Sequence, residues 1–413
     1  MTESSPPSYH EPAHSSPAAV RHLKWFGLTT IAGWSTVIVI NLIAFQIIVA
    51  PRNQSAAQLI TGWERTYKPI VFERLDPQIA SFGASWARDA FDPQTVSAIS
   101  GRRFFNFAVS AGQPYEIRRF LQSAAAHGTL QQIVLNLDSF VTRPHRLRHG
   151  AGFNESLLST NADGSVNSGA ARSRLIAVTL SGASLGYNFS VGDALWRMAR
   201  GQSRTEVLPA YERRDYSAAR AELERARATI LGGAGNARSG EQPINMRLAS
   251  DEFERTLRIA CDHGIEVFSY FTPHHATSPF AIDRTPLKLE LLDVLARTQK
   301  SCASRIHYFD FSYPNFVTLE ALLQYLPSSR YYRPDDHPRP AVGELMVARM
   351  LGKALPSDRT DAAADFGVDL LALERPQAVA WITTRQARWR GQWTEPERAA
   401  VLQSLRTTPP GQD

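Results

Sequence analysis

Residues 25 to 51, WFGLTTIAGWSTVIVINLIAFQIIVAP, contain no charged side chain. A helix of about 25 residues at ~1.5 Å per residue outreaches the ~30 Å hydrocarbon core of a bilayer, so this segment can cross one with some tilt. Trp25 falls where indole rings prefer the headgroup level. The apolar stretch of a cleaved signal peptide is only ~7–15 residues long, and Pro51 directly after Ala50 makes a poor cleavage site. A transmembrane helix over 25–50 is therefore expected. Arg21, His22 and Lys24 crowd its amino-terminal flank, whereas Arg52 stands nearly alone beyond it, which favours a cytoplasmic N-terminus. The tail 1–24, whose first 20 residues are rich in Ser, Pro and His, reads as disordered. Everything past residue 52 then lies outside the cytoplasm, in a compartment where Cys261 and Cys302 are able to pair. Their spacing alone leaves that pairing open.

The rest of the 413-residue chain, with 43% hydrophobic and 20% charged side chains overall, has the composition of a globular protein. Its net charge of +6 is scattered and leaves no footprint for nucleic acid. No CxxC or Cys/His cluster is present, so neither a metal nor an organic cofactor is implied. Short apolar runs alternate with helical patterns: QIASFG (78–83), RRFFNFAV (102–109), QQIVLNLD (131–138), IEVFSYF (265–271) and RIHYFDFS (305–312) read as five strands. Helix-spaced segments separate them, and AVGELMVARMLG (341–352) closes the unit. This alternation predicts an α/β domain with a parallel, helix-covered sheet, in two parts at 53–139 and 248–356. The interval 140–247 is too long for a plain connection. It reads as a helical insertion (GAARSRLIAVTLSG; YSAARAELERARATIL) lying over the carboxyl-end face as a lid or substrate platform. A C-terminal strap and tail occupy 357–413.

In such sheets ligands bind beyond the carboxyl ends of the strands, so the residues just past each strand are the ones to weigh. After the first comes Gly83-Ala84-Ser85, after the second Ser110-Ala111-Gly112, after the third Asn136-Leu137-Asp138. Past the fifth strand lies Tyr331-Tyr332-Arg333-Pro334-Asp335-Asp336-His337. A His held there can take a proton from Ser85, with an adjacent acid to orient the ring. Amides of Gly112 and Ser85 would then face an oxyanion. That is the chemistry of acyl transfer through a serine ester.

The runs GASWARDAFDP, FNFAVSAGQPYE, IVLNLDSF and YYRPDDHPRPAVGELMV resemble the SGNH/GDSL hydrolase superfamily. They are most similar to its membrane-anchored bacterial branch, which handles O-acylation of polysaccharides. The likeness spans about 75–140 and 250–352. It implies a flavodoxin-like three-layer sandwich in the bacterial inner membrane, with its soluble domain in the periplasm. Ser85 matches the nucleophile, Gly112 the second-block glycine and His337 the base. The chain departs from the pattern in three places. Ala84 stands where an Asp usually precedes the Ser, Asp138 fills the place of the oxyanion-hole Asn, and Pro334 occupies the usual acid position. Asp335 or Asp336 would serve instead, with Asp335 preferred. The partners implied are an acyl donor, a surface polysaccharide and proteins of an envelope assembly. The same departures suit a catalytically degenerate accessory or glycan-binding protein, and a plain structural anchor is a third reading.

Other features are less specific. His274 comes just after the fourth strand, where it either contacts substrate from the carboxyl edge or caps the loop, and as a neighbour of His275 it makes a poor metal pair. Glu116 opens a helix, where its charge complements the dipole. Arg143, His145, Arg146, Arg148 and His149 form a basic run that reads as a solvated face. Trp381, Trp389 and Trp393 interleave with arginines in a helix expected to strap back on the domain.

Overall fold

The computed structural model describes residues 17–48, 64–142, 148–180, 182–202, 247–275, 284–311, 315–318, 330–333, 337–354 and 366–389. The first helix, α1, runs Pro17–Ile48. It therefore begins inside the stretch expected to be disordered, with Pro17 at a first-turn position that needs no amide donor. It is long and apolar enough to cross a membrane. A second helix, α2 (Glu64–Leu75), has buried side chains along most of its length.

The sheet then builds by alternation: β1 (Ile79–Phe82), α3 (Ser85–Ala90), α4 (Pro93–Ser100), β2 (Phe104–Asn106), α5 (Pro114–Ala125) and β3 (Gln132–Asn136). A 3-10 turn over Leu137–Phe140 ends β3 two residues short of the run read from sequence, and β4 (Val141–Thr142) comes next. The insertion contributes α6 (Ala170–Thr179) and α7 (Gly182–Ala199). The chain returns through β5 (Arg247–Leu248), which pairs with β4, into α8 (Ser250–Asp262), β6 (Glu266–Phe271), α9 (Thr285–Ser301), β7 (Ile306–Asp310) and α10 (Pro340–Met350). It closes with β8 (Val368–Asp369) and α11 (Arg375–Trp389).

The main sheet has the order β2-β1-β3-β6-β7-β8. The five expected strands are parallel, and a sixth, β8, pairs antiparallel to β7. Side chains alternate across the sheet with the strand period of two. Ala80, Phe82, Ile133, Leu135, Val267 and Tyr308 join α2, α5, α8, α9 and α11 in one core; Ile79, Phe104, Val134, Phe268 and Phe309 join α3, α4 and α10 in the other. Gly343 shows how closely α10 sits on α3, since a Cβ there would lie 1.9 Å from the Ala90 carbonyl oxygen.

The described part of the insertion packs on α5, α2 and α1, with 148–155 against the first turn of α5. Residues 155–161 run along α5, where Arg119 donates to the Thr160 and Asn161 carbonyls and Tyr115 donates to Glu155 at 2.6 Å. Arg174 of α6 pairs with Glu73 of α2, and α6 and α7 both pack against α1. The proposed helix at 216–231 and the residues Arg143, His145, Arg146 and Trp393 lie outside the described residues. Arg148 stacks over Tyr115, and the strap expectation holds for α11: Ala378 and Ile382 are buried in the first core.

Cys261, at the end of α8, is bonded to Cys302, just past α9. The bridge closes a loop of 41 positions, for which chain entropy alone predicts about 4 kcal/mol of stabilisation. Replacing both cysteines by Ser should lower the free energy of unfolding by about 2–5 kcal/mol in denaturant titrations of the detergent-solubilised protein. An unchanged midpoint would show that the clip is idle.

Candidate functional site

The strand order reverses between β1 and β3: the connection after β1 leads to β2 on one side, and the connection after β3 leads to β6 on the other. Such a switch point opens a crevice beyond the carboxyl ends of the strands. Gly83 makes the turn there: a Cβ would come within 2.7 Å of Asn136 Cβ and 2.9 Å of Ala87 Cβ. Its carbonyl accepts from the Val109 amide at 3.1 Å and lies 2.7 Å from where a Cβ on Gly112 would stand. Two glycines thus let the loops after β1 and β2 close on each other.

This turn delivers Ser85 at the first position of α3, half-buried on the rim. His337 Nε2 stands 2.9 Å from Ser85 Oγ. A stretch of 252 positions separates them in sequence, and several contacts hold the histidine loop in place. The Arg333 amide donates to the His337 carbonyl at 2.9 Å, and Tyr332 bridges Pro338. The Tyr332 hydroxyl donates to the Pro273 carbonyl at 2.7 Å, tying the loop to the end of β6. Arg333 reaches across to Asp89 of α3 at 2.7 Å.

Among the described residues, Asp89 is a carboxylate that interacts with His337; Asp335 and Asp336 lie outside them. No motif marks Asp89, yet its spacing of four from Ser85 puts both on one face of α3. Burial opposes its charge, but Arg88, Arg333 and His337 together hold its carboxyl below the usual range. Its two oxygens are taken by Arg88 and Arg333, and its charge acts on His337 through space.

Two expected roles are corrected by the geometry. The Gly112 amide donates to the Val109 carbonyl at 3.1 Å, so the glycine serves close packing while its N–H closes a turn. The Asp138 carboxylate is occupied by donors and offers none to an oxyanion: it takes hydrogen bonds from the Thr272 amide (2.8 Å), from Asn136 Nδ2 (3.0 Å) and from Arg284. Burial works against its charge, and Arg284 and His274 overcome it, leaving the carboxyl far below its ordinary value. It is a fastener between β3, β6 and α9. Asn136, on the sheet side of it, also donates to Thr272 Oγ1 at 2.9 Å, so both its amide hydrogens are engaged. His274 is only 2% exposed, wedged between Asp138 and Trp86, whose ring centroid is 4.6 Å away in an edge-on contact. Trp86, next to the nucleophile position and 6.1 Å from the His337 ring, is the aromatic that lines the rim.

Beneath the rim lies a buried cluster of charges. Glu64, at the start of α2, accepts from Ser110 Oγ at 2.8 Å and pairs with Arg88 at 3.2 Å. Arg65 holds Glu116 through two bonds at 2.7 and 3.0 Å, and Glu116 also accepts from the Gln113 amide at 2.9 Å, consistent with its helix-opening role. Lys68 donates to the Ala108 carbonyl. Burial depresses its ammonium to about 7, against the opposing pull of Glu64.

Compared with protein-family models, curated proteins and solved structures, this chain matches none.

Lys68 generates a pH prediction. The unfolded chain keeps this proton up to its ordinary 10.5, whereas the folded protein releases it above about 7. The unfolded state therefore binds more protons in that window, and stability contributed by this group rises with pH across it. The melting temperature of the parent should gain on that of Lys68→Met between pH 6.5 and about 9. Parallel curves would refute the buried-lysine account.

Proposed function

We propose that the protein is a membrane-anchored serine acyltransferase or esterase of SGNH-like type, acting on O-acyl groups of a surface polysaccharide. The observation that carries this reading is the 2.9 Å contact of His337 Nε2 with Ser85 Oγ at the sheet's switch point. The order of the five parallel strands supports the flavodoxin-like layout that the resemblance implies. The span of α1, the positive flank at Arg21 and Lys24, and the Cys261–Cys302 bridge support a domain in an oxidising compartment outside the cytoplasm, as in a bacterial periplasm.

In this mechanism Ser85 Oγ attacks the acyl carbonyl as His337 takes the hydroxyl proton. Collapse of the tetrahedral adduct breaks the donor's ester bond, and His337 returns the proton to the departing oxygen. A sugar hydroxyl, or water in the hydrolytic variant, then gives up its proton to His337 and attacks the Ser85 ester, restoring the free serine. Asp89 supplies the negative charge that favours the imidazolium in both half-reactions. The Ser85 amide, at the start of α3, has no acceptor within its own helix and is placed to meet the oxyanion.

One observation favours a second reading. The amides of Gly112 and Asn136 are both engaged within the protein, as in a glycan-binding accessory protein that keeps the cleft without the chemistry. Labelling with a serine-directed fluorophosphonate separates the two. The full-length protein should take up one label that is lost in Ser85→Ala, and His337→Ala should slow labelling by about 10²–10⁴-fold. A parent protein that stays unlabelled would favour the binding reading.

A further inference from the structure

Large apolar side chains exposed on the surface are confined to a few places among the described residues. Apart from Val166, every one lies on α1, α6 or α7. On α6 they are Leu175 and Ile176, with Leu180 capping its end; on α7 they are Phe189, 66% exposed, and Trp196, 54% exposed. Among its described residues the α/β body exposes none. These two helices stand against α1, and the contact has a polar centre. Asn41 of α1 is fully buried; its Nδ2 donates to the Thr179 carbonyl at 3.1 Å, and its Oδ1 accepts from Asn188 Nδ2 at 2.9 Å.

Depth along α1 is set by helix geometry. Asn41 lies sixteen residues beyond Trp25, about 24 Å along the axis. With Trp25 at one boundary of a ~30 Å core, Asn41 falls roughly one turn short of the other. A side-chain amide at that depth requires hydrogen-bond partners from protein, because lipid offers none. The last turn of α6 and the middle of α7 supply them, so these parts sit at the same depth.

From this we infer that α6 and α7 are seated in the leaflet on the side of the folded domain, with Leu175, Ile176, Leu180, Phe189 and Trp196 in the boundary between headgroups and acyl chains. The inference rests on reading α1 as a membrane span. The polar groups on the same helices fit a shallow position. Asp193 is exposed between Phe189 and Trp196, and Arg200 stacks on the Trp196 ring at 4.0 Å, where its charge reaches the headgroups. Arg172 stands one turn before Leu175 and Ile176. Indole and guanidinium groups are the usual anchors of helices that lie in an interface. The occupant of this apolar face is lipid.

Both native cysteines are consumed in the disulfide, so a single introduced cysteine accepts an environment-sensitive fluorophore alone. Leu175→Cys and Phe189→Cys probe the inference, Ile31→Cys probes α1, and Arg297→Cys, on an exposed position of α9, marks the aqueous reference. All four are labelled in the full-length protein and placed in nanodiscs of phosphatidylcholine and phosphatidylglycerol, with and without nitroxide-bearing lipid. Labels at 175 and 189 should lose about half of their emission or more to a nitroxide near the headgroup, and less to one deep in the chains, while the label at 297 is unaffected. Quenching at 31 with none at 175 and 189 would overturn the seating of α6 and α7 and leave the span intact. Absence of quenching at 31 would remove the span itself, and this inference with it. Labels at 175 and 189 shielded from both water and lipid, with cross-links between copies, would assign the face to self-association instead.

Discussion

The guanidinium of Arg88 is the joint on which the site depends. It pairs with Glu64 of α2 and with Asp89 on its own helix, and it contacts Ser110 in the loop after β2. Asp89 in turn holds Arg333, whose amide fixes the carbonyl of His337. Four segments distant in sequence therefore meet through one cluster of buried charges. Removing a single member of such a cluster strands the others without water, which costs several kcal/mol, whereas the intact cluster adds little net stability. Its contribution is placement: α3 and the histidine loop are fixed with respect to each other, and so are their hydroxyl and imidazole.

The two sides of the rim differ in character. Around Ser85 and His337 the surroundings are half-open, and the carboxylate of Asp89 acts on His337 through space. Around Asp138 the surroundings are closed, with Arg284, Thr272, Asn136 and His274 converging on one ionised carboxylate. Trp86 separates the two, in edge contact with His274 and tilted towards His337. The ring is thus backed by a buried charge on one side and stands beside the Ser85–His337 pair on the other.

Much of the domain was legible from the sequence because its strands are continuous apolar runs bounded by glycine and polar turns, and all five parallel strands appear where those runs lie. The sixth strand is two residues long with no apolar signature of its own, and it exists only because Phe309 and Asp310 offer it an edge. The meeting of Ser85 and His337 was legible because each lies past a strand at the same end of the sheet. Asp89 was not, since its role comes from Arg333 folding over from another segment. The seating of the insertion was equally hidden, as its partner is α1, some 140 residues earlier in the chain, and nothing in the pattern of α6 and α7 says which neighbour they choose. Asp138 shows the opposite error: a residue placed by motif position alone turned out to be fully occupied by hydrogen bonds.

The position of α2 bears on where the folded domain begins. This helix precedes the first strand and belongs neither to the span nor to the alternating pattern, yet Val71, Phe72 and Leu75 complete the first core, Phe72 stacking edge-on against Phe105. Trimming the chain to the start of β1, a natural way to free a soluble piece from its anchor, would strip a wall from that core and leave Arg88 facing Asp89 without Glu64. A working fragment must start upstream of Glu64.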